Sequence, residues 1–321
     1  MAERVAGLAG TIAVVTGRRL LRVALLGLTN SGKSTLCNAL VGEEVTIATA
    51  KRHTTRTRVR AIFVDGGTQV VLTDTPGVLE LDSESRRERS RNPGAFKGIK
   101  NAAPDALMES RLHLLVVDAS ATDSLERAEH TGRELSRLLA LAAPDNARAT
   151  AEVVFAINKM DRVKRAGGAE RIAERIAAAA QLRPAAVFSI SALTGDGVPE
   201  LRQRLVQAAT PAEWAYADPN QRTDQTLGER ALEILRAEVH HVLHRQLPYS
   251  VRQEDVCWSE DAESGALELD LGLSMPQYSE LVVLRSALGS IHSATQPKLA
   301  SLFERQVKLK LHTKLRSNRG F

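Results

Sequence analysis

Gly27-Leu28-Thr29-Asn30-Ser31-Gly32-Lys33-Ser34 holds two glycines separated by four residues, then a lysine and a hydroxyl. This is the spacing G-x-x-x-x-G-K-[ST]. Such a loop captures anions, because successive backbone N–H groups and a following helix N-terminus point at phosphates. Glycine lets the backbone come close. Lys33 would reach the β- and γ-phosphates and Ser34 would ligate Mg²⁺, with Thr35 beside them in the phosphate-binding set. Three further clusters follow in order. Asp74-Thr75-Pro76-Gly77 offers a carboxylate to Mg²⁺ through water and the Gly77 N–H to the γ-phosphate. Asn158-Lys159-Met160-Asp161 offers a carboxylate that accepts from the N1–H and N2–H₂ edge of guanine, which adenine lacks. Ser191-Ala192-Leu193 offers the Ala192 N–H to guanine O6. Together the four clusters imply binding and hydrolysis of GTP rather than of nucleoside triphosphates at large.

Each cluster must follow a strand. Apolar runs at Leu21–Leu26, Val70–Leu72, Leu112–Val117, Val153–Ile157 and Ala186–Ile190 meet that demand. They read as strands buried on both faces. Helical patterns lie between them at Lys33–Val41, Ala169–Ala180 and Val198–Ala208. The fold class is therefore α/β: a P-loop GTPase domain with a mostly parallel sheet over 20–209. Residues 210–225 read as a linker, and 226–321 as a smaller α+β domain. There, Thr226-Leu227-Gly228-Glu229 fits a capping box before a helix to about His244. Strands are expected at Ser250–Cys257, Ala266–Leu273 and Val307–Leu315, and a helix over Ser293–Glu304.

Composition narrows the class. The 321 residues are 43% hydrophobic and 25% charged, which excludes a disordered or fibrous chain. Lys plus Arg is 43 against 38 acids, a net +5 that admits an anionic partner. Two distant cysteines, Cys37 and Cys257, form no disulfide framework and suit a reducing compartment. No apolar run nears the ~20 residues of a membrane helix, so stable membrane insertion is not expected. Residues 1–19 carry Arg4, Arg18 and Arg19 around small apolar residues. They read either as an organelle transit peptide or as a short extension into the first strand. Ser83–Arg91 reads as a solvated loop.

The sequence resembles the translation-factor-related small GTPases, and within them the Era family of ribosome-assembly GTPases. The resemblance rests on Asn30, His53-Thr54-Thr55-Arg56, Asp74-Thr75-Pro76-Gly77, Asn158-Lys159-Met160-Asp161 and Ser191-Ala192-Leu193. In the second half it rests on Thr223-Asp224, Glu233-Ile234-Leu235-Arg236 and Leu247-Pro248-Tyr249-Ser250-Val251. It implies a KH-like (type II) second domain. It also implies a switch I threonine on Mg²⁺, here Thr55, and a K⁺ ion at Asn30. Val78 stands where Ras-like proteins carry a water-positioning glutamine, which implies slow intrinsic hydrolysis. The implied partners are small-subunit rRNA near its 3′ end, the small ribosomal subunit assembly intermediate, and ribosomal proteins or assembly factors. The His53-Thr54-Thr55-Arg56 similarity to the organellar branch implies the mitochondrial matrix, with a bacterial cytoplasm as the alternative.

A KH domain clamps single-stranded nucleic acid with a G-x-x-G loop between two helices. Alignment on the last strand puts that loop at Val282-Val283-Leu284-Arg285, where there is no glycine pair. A protein-docking second domain is therefore the competing reading. The last strand alternates apolar residues with Lys308, Lys310, His312 and Lys314, and Arg316 extends it. Lys308, Lys310, Lys314 and Arg316 are thus candidate RNA contacts, or a solvated strand face. His240, His241 and His244 read as surface histidines, Cys37 as a small buried residue and Cys257-Trp258 as strand packing.

Overall fold

The computed structural model describes residues 17–28, 30–46, 59–74, 105–121, 125–142, 151–163, 168–244, 247–261 and 264–316. Thr55, Gly77, Val78, the Ser83–Arg91 run and residues 1–16 lie outside them.

The first strand, β1 (Arg19–Leu26), is buried on both faces and sits mid-sheet. After it come α1 (Lys33–Val41), β2 (Val59–Asp65), β3 (Thr68–Asp74) and β4 (Leu112–Asp118). Then follow α2 (Leu125–Ala142), β5 (Glu152–Asn158), α3 (Gly168–Ala180), β6 (Ala186–Ser189), α4 (Val198–Ala208) and β7 (Thr210–Pro211). The sheet order is β2-β3-β1-β4-β5-β6, with β7 against the start of β1. Only β2 and β7 run antiparallel to their neighbours. The parallel, doubly covered sheet explains the near-continuous apolar runs. One core packs Leu21, Val23 and Leu25 under α1 and α4; the other packs Ala24 and Leu26 under α2 and α3. Strand β2 was not singled out in the sequence. It folds back on β3 through Gly66-Gly67, and Gly66 adopts φ 56°.

Segment 212–225 is not free chain. Gln69 and Tyr216 exchange hydrogen bonds of 2.9 and 3.1 Å, Trp214 Nε1 donates to Gly67 O at 3.0 Å, and Thr223 bridges Ala61.

The second domain comprises α5 (Leu227–Val242), a short helix α6 (Leu247–Ser250), β8 (Arg252–Glu260), β9 (Leu267–Met275), α7 (Tyr278–Phe303) and β10 (Val307–Leu315). Thr226 and Glu229 form the capping box on α5. The sheet order is β10-β9-β8, with β10 parallel and β8 antiparallel to β9. Three sequence expectations need correction. The strand placed from Ser250 begins at Arg252, because Leu247–Ser250 is helical. The helix placed at 293–304 is a 26-residue helix, α7. Leu281, Leu284, Ile291, Thr295 and Leu299 keep a helical period and bury one continuous stripe. His240 is a buried residue, because α6 and Val251 close over that side of α5. Cys257 is exposed on β8; its neighbour Trp258 meets Phe303 edge-on at 6.0 Å.

Helices α2 and α3 touch at Gly132, where an added Cβ would lie 2.5 Å from Ile176 O and 2.7 Å from Ala179 Cβ. Alanine is the better helix former by ~1 kcal/mol. Overpacking against backbone costs about 1–3 kcal/mol and reverses that sign. Urea denaturation of Gly132→Ala should therefore show a lower midpoint than wild type; a higher midpoint would mean that the two helices separate freely.

Candidate nucleotide site

The loop between β1 and α1 is built by its glycines. Gly27 adopts φ 152° and Gly32 φ 95°. A Cβ on Gly27 would collide with Val116 O on β4, and one on Gly32 with the Asn158 amide. Asn30 takes a left-handed φ of 60° between them. Lys33 is buried, and its Nζ donates to Gly27 O at 3.1 Å and Leu28 O at 2.9 Å, spanning the loop. Thr35 lies in the first turn of α1, half-buried. The α1 N-terminus and the Lys33 ammonium thus lie together at this loop, the arrangement that suits a phosphate.

Ser34 and Asp74 meet beside that position. The Ser34 hydroxyl donates to Asp74 Oδ2 at 2.8 Å. Asp74 is fully buried at the end of β3, and its Oδ1 has no hydrogen-bond partner. Burial pushes the Asp74 carboxyl above its usual range, against the opposing pull of Lys33 and Ser34. A buried carboxylate oxygen beside a hydroxyl is a hard oxygen donor set, and it fits Mg²⁺.

The base end is held by one side chain. Asn158, the last residue of β5, donates from Nδ2 to Ser31 O at 2.9 Å and accepts on Oδ1 from the Ala192 N–H at 2.9 Å. The sequence assigned the Ala192 N–H to guanine O6; in the structure that N–H donates to Asn158 Oδ1. Lys159 adopts φ 63°, and its Nζ donates to Asn30 O at 2.5 Å and to Asp118 Oδ2 at 2.6 Å. Ser191 Oγ donates to Asp161 Oδ1 at 2.7 Å, which orients that carboxylate at the open rim. The Leu193 side chain is 72% exposed on the same rim.

Asp118 was missed in the sequence. It ends β4 in register with Asn158 of β5. Partial burial opposes its ionisation, but hydrogen bonds from Lys159 and Ser120 outweigh this and hold its carboxyl below the usual range. The available signal was an aspartate closing a buried apolar run, Leu112–Val117.

The candidate RNA contacts are placed differently from the sequence expectation. Lys308 pairs with Asp261, Lys310 with Glu268 at 2.9 Å and His312 with Asp270 at 2.9 Å. Arg316 turns its guanidinium to Ser250 O at 3.2 Å. Lys314 stands in register with Ser274. The basic stripe is thus offset by acidic residues of β9 and of the turn after β8. Alternation along β10 alone could not reveal that neighbour.

Asp74 supports a pH prediction. Its folded-state pKa is raised above the unfolded value, so its contribution to stability is present at acid pH and lost as pH rises through the folded pKa. Nucleotide-free Asp74→Asn should therefore melt above wild type at pH 7, with the gap closing toward pH 4. The same variant should lose the thermal stabilisation conferred by Mg²⁺ with GTP. A melting temperature below wild type at neutral pH would show the carboxylate to be satisfied without a cation.

A family model described as 50S ribosome-binding GTPase matches residues 22–159. GTPase Era of Bradyrhizobium sp. strain BTAi1 is 32% identical over 304 residues, covering 93% of this chain and 89% of that relative. GTPase Era of Caulobacter vibrioides strain NA1000 is 30% identical over 308 residues, covering 92% and 90%. Two solved structures share the fold across both domains. Era in complex with MgGDPNP and nucleotides 1506–1542 of 16S ribosomal RNA superposes with a TM-score of 0.78 at 23% identity, covering 94% of this chain and 95% of that one. An Aquifex aeolicus Era variant bound to GDP·AlF₄⁻ gives 0.76 at 22%, with the same coverage. With the relatives matched across both domains and a phosphate loop, a hydrogen-bonded Ser34–Asp74 pair and the Asn158–Asp161 and Ser191–Leu193 clusters brought together, the chain belongs to the Era family and is a GTPase.

Proposed function

We propose that this protein is a GTP-controlled switch in assembly of the small ribosomal subunit, and that its GTP form binds small-subunit rRNA near the 3′ end. The observation that carries this reading is that the likeness to Era spans the second domain as well as the GTPase, over 93% of the chain. Lys33 holds the β- and γ-phosphates, and Asp161 reads the guanine edge. Ser34, Asp74 and Thr55 would hold Mg²⁺, which would supply positive charge to offset that of the phosphates. The Gly77 N–H meets the γ-phosphate. Water then attacks in line, giving GDP and phosphate. Loss of the γ-phosphate releases the switch segments, and with them the rRNA.

Val78 brings no polar group to the attacking water, so intrinsic hydrolysis is slow. In this reading Asn30 holds a K⁺ ion that neutralises transition-state charge, as an arginine finger does. Single-turnover hydrolysis should then run about tenfold faster in K⁺ than in equal Na⁺, and Asn30→Ala should abolish the difference. Equal rates in both salts would remove K⁺ from the site.

A second reading has its own observation. Continuous helix α7 occupies Val282–Arg285, where a G-x-x-G loop would lie, and Lys308 and Lys310 of β10 are ion-paired. In that reading the second domain docks on ribosomal proteins or assembly factors. Crosslinking of tagged protein in GTP-locked and GDP forms, followed by sequencing of bound RNA, separates the two. The rRNA reading expects reads near the 3′ end of small-subunit rRNA, enriched in the GTP form. Small-subunit proteins co-purifying without crosslinked RNA would replace it with the docking reading.

The mitochondrial matrix is the proposed compartment, supported by Arg4 in the N-terminal segment and by His53-Thr54-Thr55-Arg56. Recovery of the protein only from a bacterial cytoplasm would overturn it.

A further inference from the structure

We infer that Asn38 is a positioning residue for Mg²⁺ binding: its side chain clasps Val45 and Thr46 back onto α1, and Thr46 in turn holds the backbone of the Mg²⁺ ligand Ser34. The inference rests on the reading of Ser34 as that ligand. Asn38 follows Ser34 by one turn of α1, so helix geometry already brings its N–H to the Ser34 carbonyl. Gly42 ends the helix in the left-handed region, at φ 86°, with its N–H on Asn38 O at 2.8 Å. The chain turns back there. Val45 N and Thr46 N donate to Asn38 Oδ1 at 3.0 and 2.9 Å, and Asn38 Nδ2 donates to Thr46 O at 2.8 Å. A carboxamide carries an acceptor and a donor side by side, as a peptide does, and so meets both backbone groups of one residue. Thr46 Oγ1 lies 3.1 Å from Asn38 Oδ1 and 3.0 Å from Ser34 O, within donating distance of both.

The clasp is enclosed. Thr46 and Val45 are both buried, and the Val45 side chain joins Leu36 and Leu40 in the core that α1 shares with the sheet. Buried peptide groups need partners, and Asn38 supplies three of them at once: Val45 N–H, Thr46 N–H and Thr46 C=O. The consequence for the site lies one turn back. Ser34 is gripped at two points: its hydroxyl donates to Asp74 Oδ2 at 2.8 Å, and its carbonyl is met by Thr46 Oγ1. The first grip sets where the hydroxyl points, and the second sets the backbone that carries it. Mg²⁺ accepts oxygen donors only in near-ideal octahedral geometry, at about 2.0–2.1 Å, so a small shift of the Ser34 backbone is felt at the ion. Outer partners that orient a ligand set metal affinity in this way. Asn38 carries no charge and its amide is engaged by Val45 and Thr46, so its contribution is geometric. Its truncation acts on the ion through Ser34 and leaves the guanine end, held by Asn158, as it is.

The test is Mg²⁺ affinity, read on the full chain from the fluorescence of a bound GDP analogue titrated with Mg²⁺, with no hydrolysis involved. Asn38→Ala and Thr46→Val should each weaken Mg²⁺ about tenfold. Thr46→Ser keeps the hydroxyl and should bind Mg²⁺ as wild type does. Affinity for the GDP analogue in EDTA should be unchanged in all three. Combining Asn38→Ala with Thr46→Val should add little to either alone, because both act through one contact to Ser34. Should Asn38→Ala fail to fold, Thr46→Val against Thr46→Ser decides alone, since valine keeps the β-branched shape. Ser34→Ala checks the underlying reading. Where it weakens Mg²⁺ and the clasp variants do not, Asn38 serves the fold only and the inference falls, whatever the melting temperatures. Wild-type Mg²⁺ affinity in Ser34→Ala removes the ligand reading itself, and the inference with it. Equal loss of the GDP analogue in EDTA and in Mg²⁺ makes the clasp a support of the whole phosphate loop, which also overturns the inference.

Discussion

The Asn158 side-chain amide is the joint on which the nucleotide site depends. It holds the phosphate loop through Ser31 O and the base-side loop through the Ala192 N–H, each at 2.9 Å. Its backbone neighbour Lys159 adds a tie to Asn30 O and to Asp118. The ends of β4 and β5 and the loop after β1 are thereby tied to one another. The joint also explains why position 32 must be glycine, because any Cβ there collides with the Asn158 amide. Preorganisation of this kind places the binding cost in folding rather than in nucleotide capture.

The opposite corner is left unsatisfied. Asp74 is wholly buried, has one oxygen without a hydrogen-bond partner, and sits at the end of a strand whose seven residues are all buried. A buried charge of that sort is costly unless it is matched. The site is thus tied by hydrogen bonds at the base end and presents an unpartnered carboxylate oxygen at the cation end. A ligand that brings positive charge to Asp74 gains more than one that fills the base pocket alone.

Much of the first domain was legible in the sequence because its chemistry is local. Each cluster sits directly after an apolar run, and a parallel sheet turns such runs into strand ends on one side. What escaped was non-local. Asp118 matters only through its register with Asn158 on the next strand, and β2 only through a Gly66-Gly67 reversal onto β3. Lys310 and His312 of β10 looked free because their partners, Glu268 and Asp270, sit about forty residues away on β9. Helix α7 was legible only in its second half; Gly289 interrupts the sequence pattern, while Leu281, Leu284, Ile291 and Leu299 carry one buried stripe across it.

The change at Val282–Arg285 goes deeper than absent glycines. A G-x-x-G loop grips a nucleic-acid backbone because its turn frees N–H groups and lets the chain approach. Inside a helix, each N–H from the second turn onward is consumed by the carbonyl four residues earlier. With α7 starting at Tyr278, and Leu281 N already donating to Gln277 O at 3.0 Å, the N–H groups of Val282 to Arg285 are committed to the helix. Restoring glycine at two positions would not recover the clamp unless the helix also broke there. The continuous helix in turn lets Arg285, His292 and Gln296 share one face along β10.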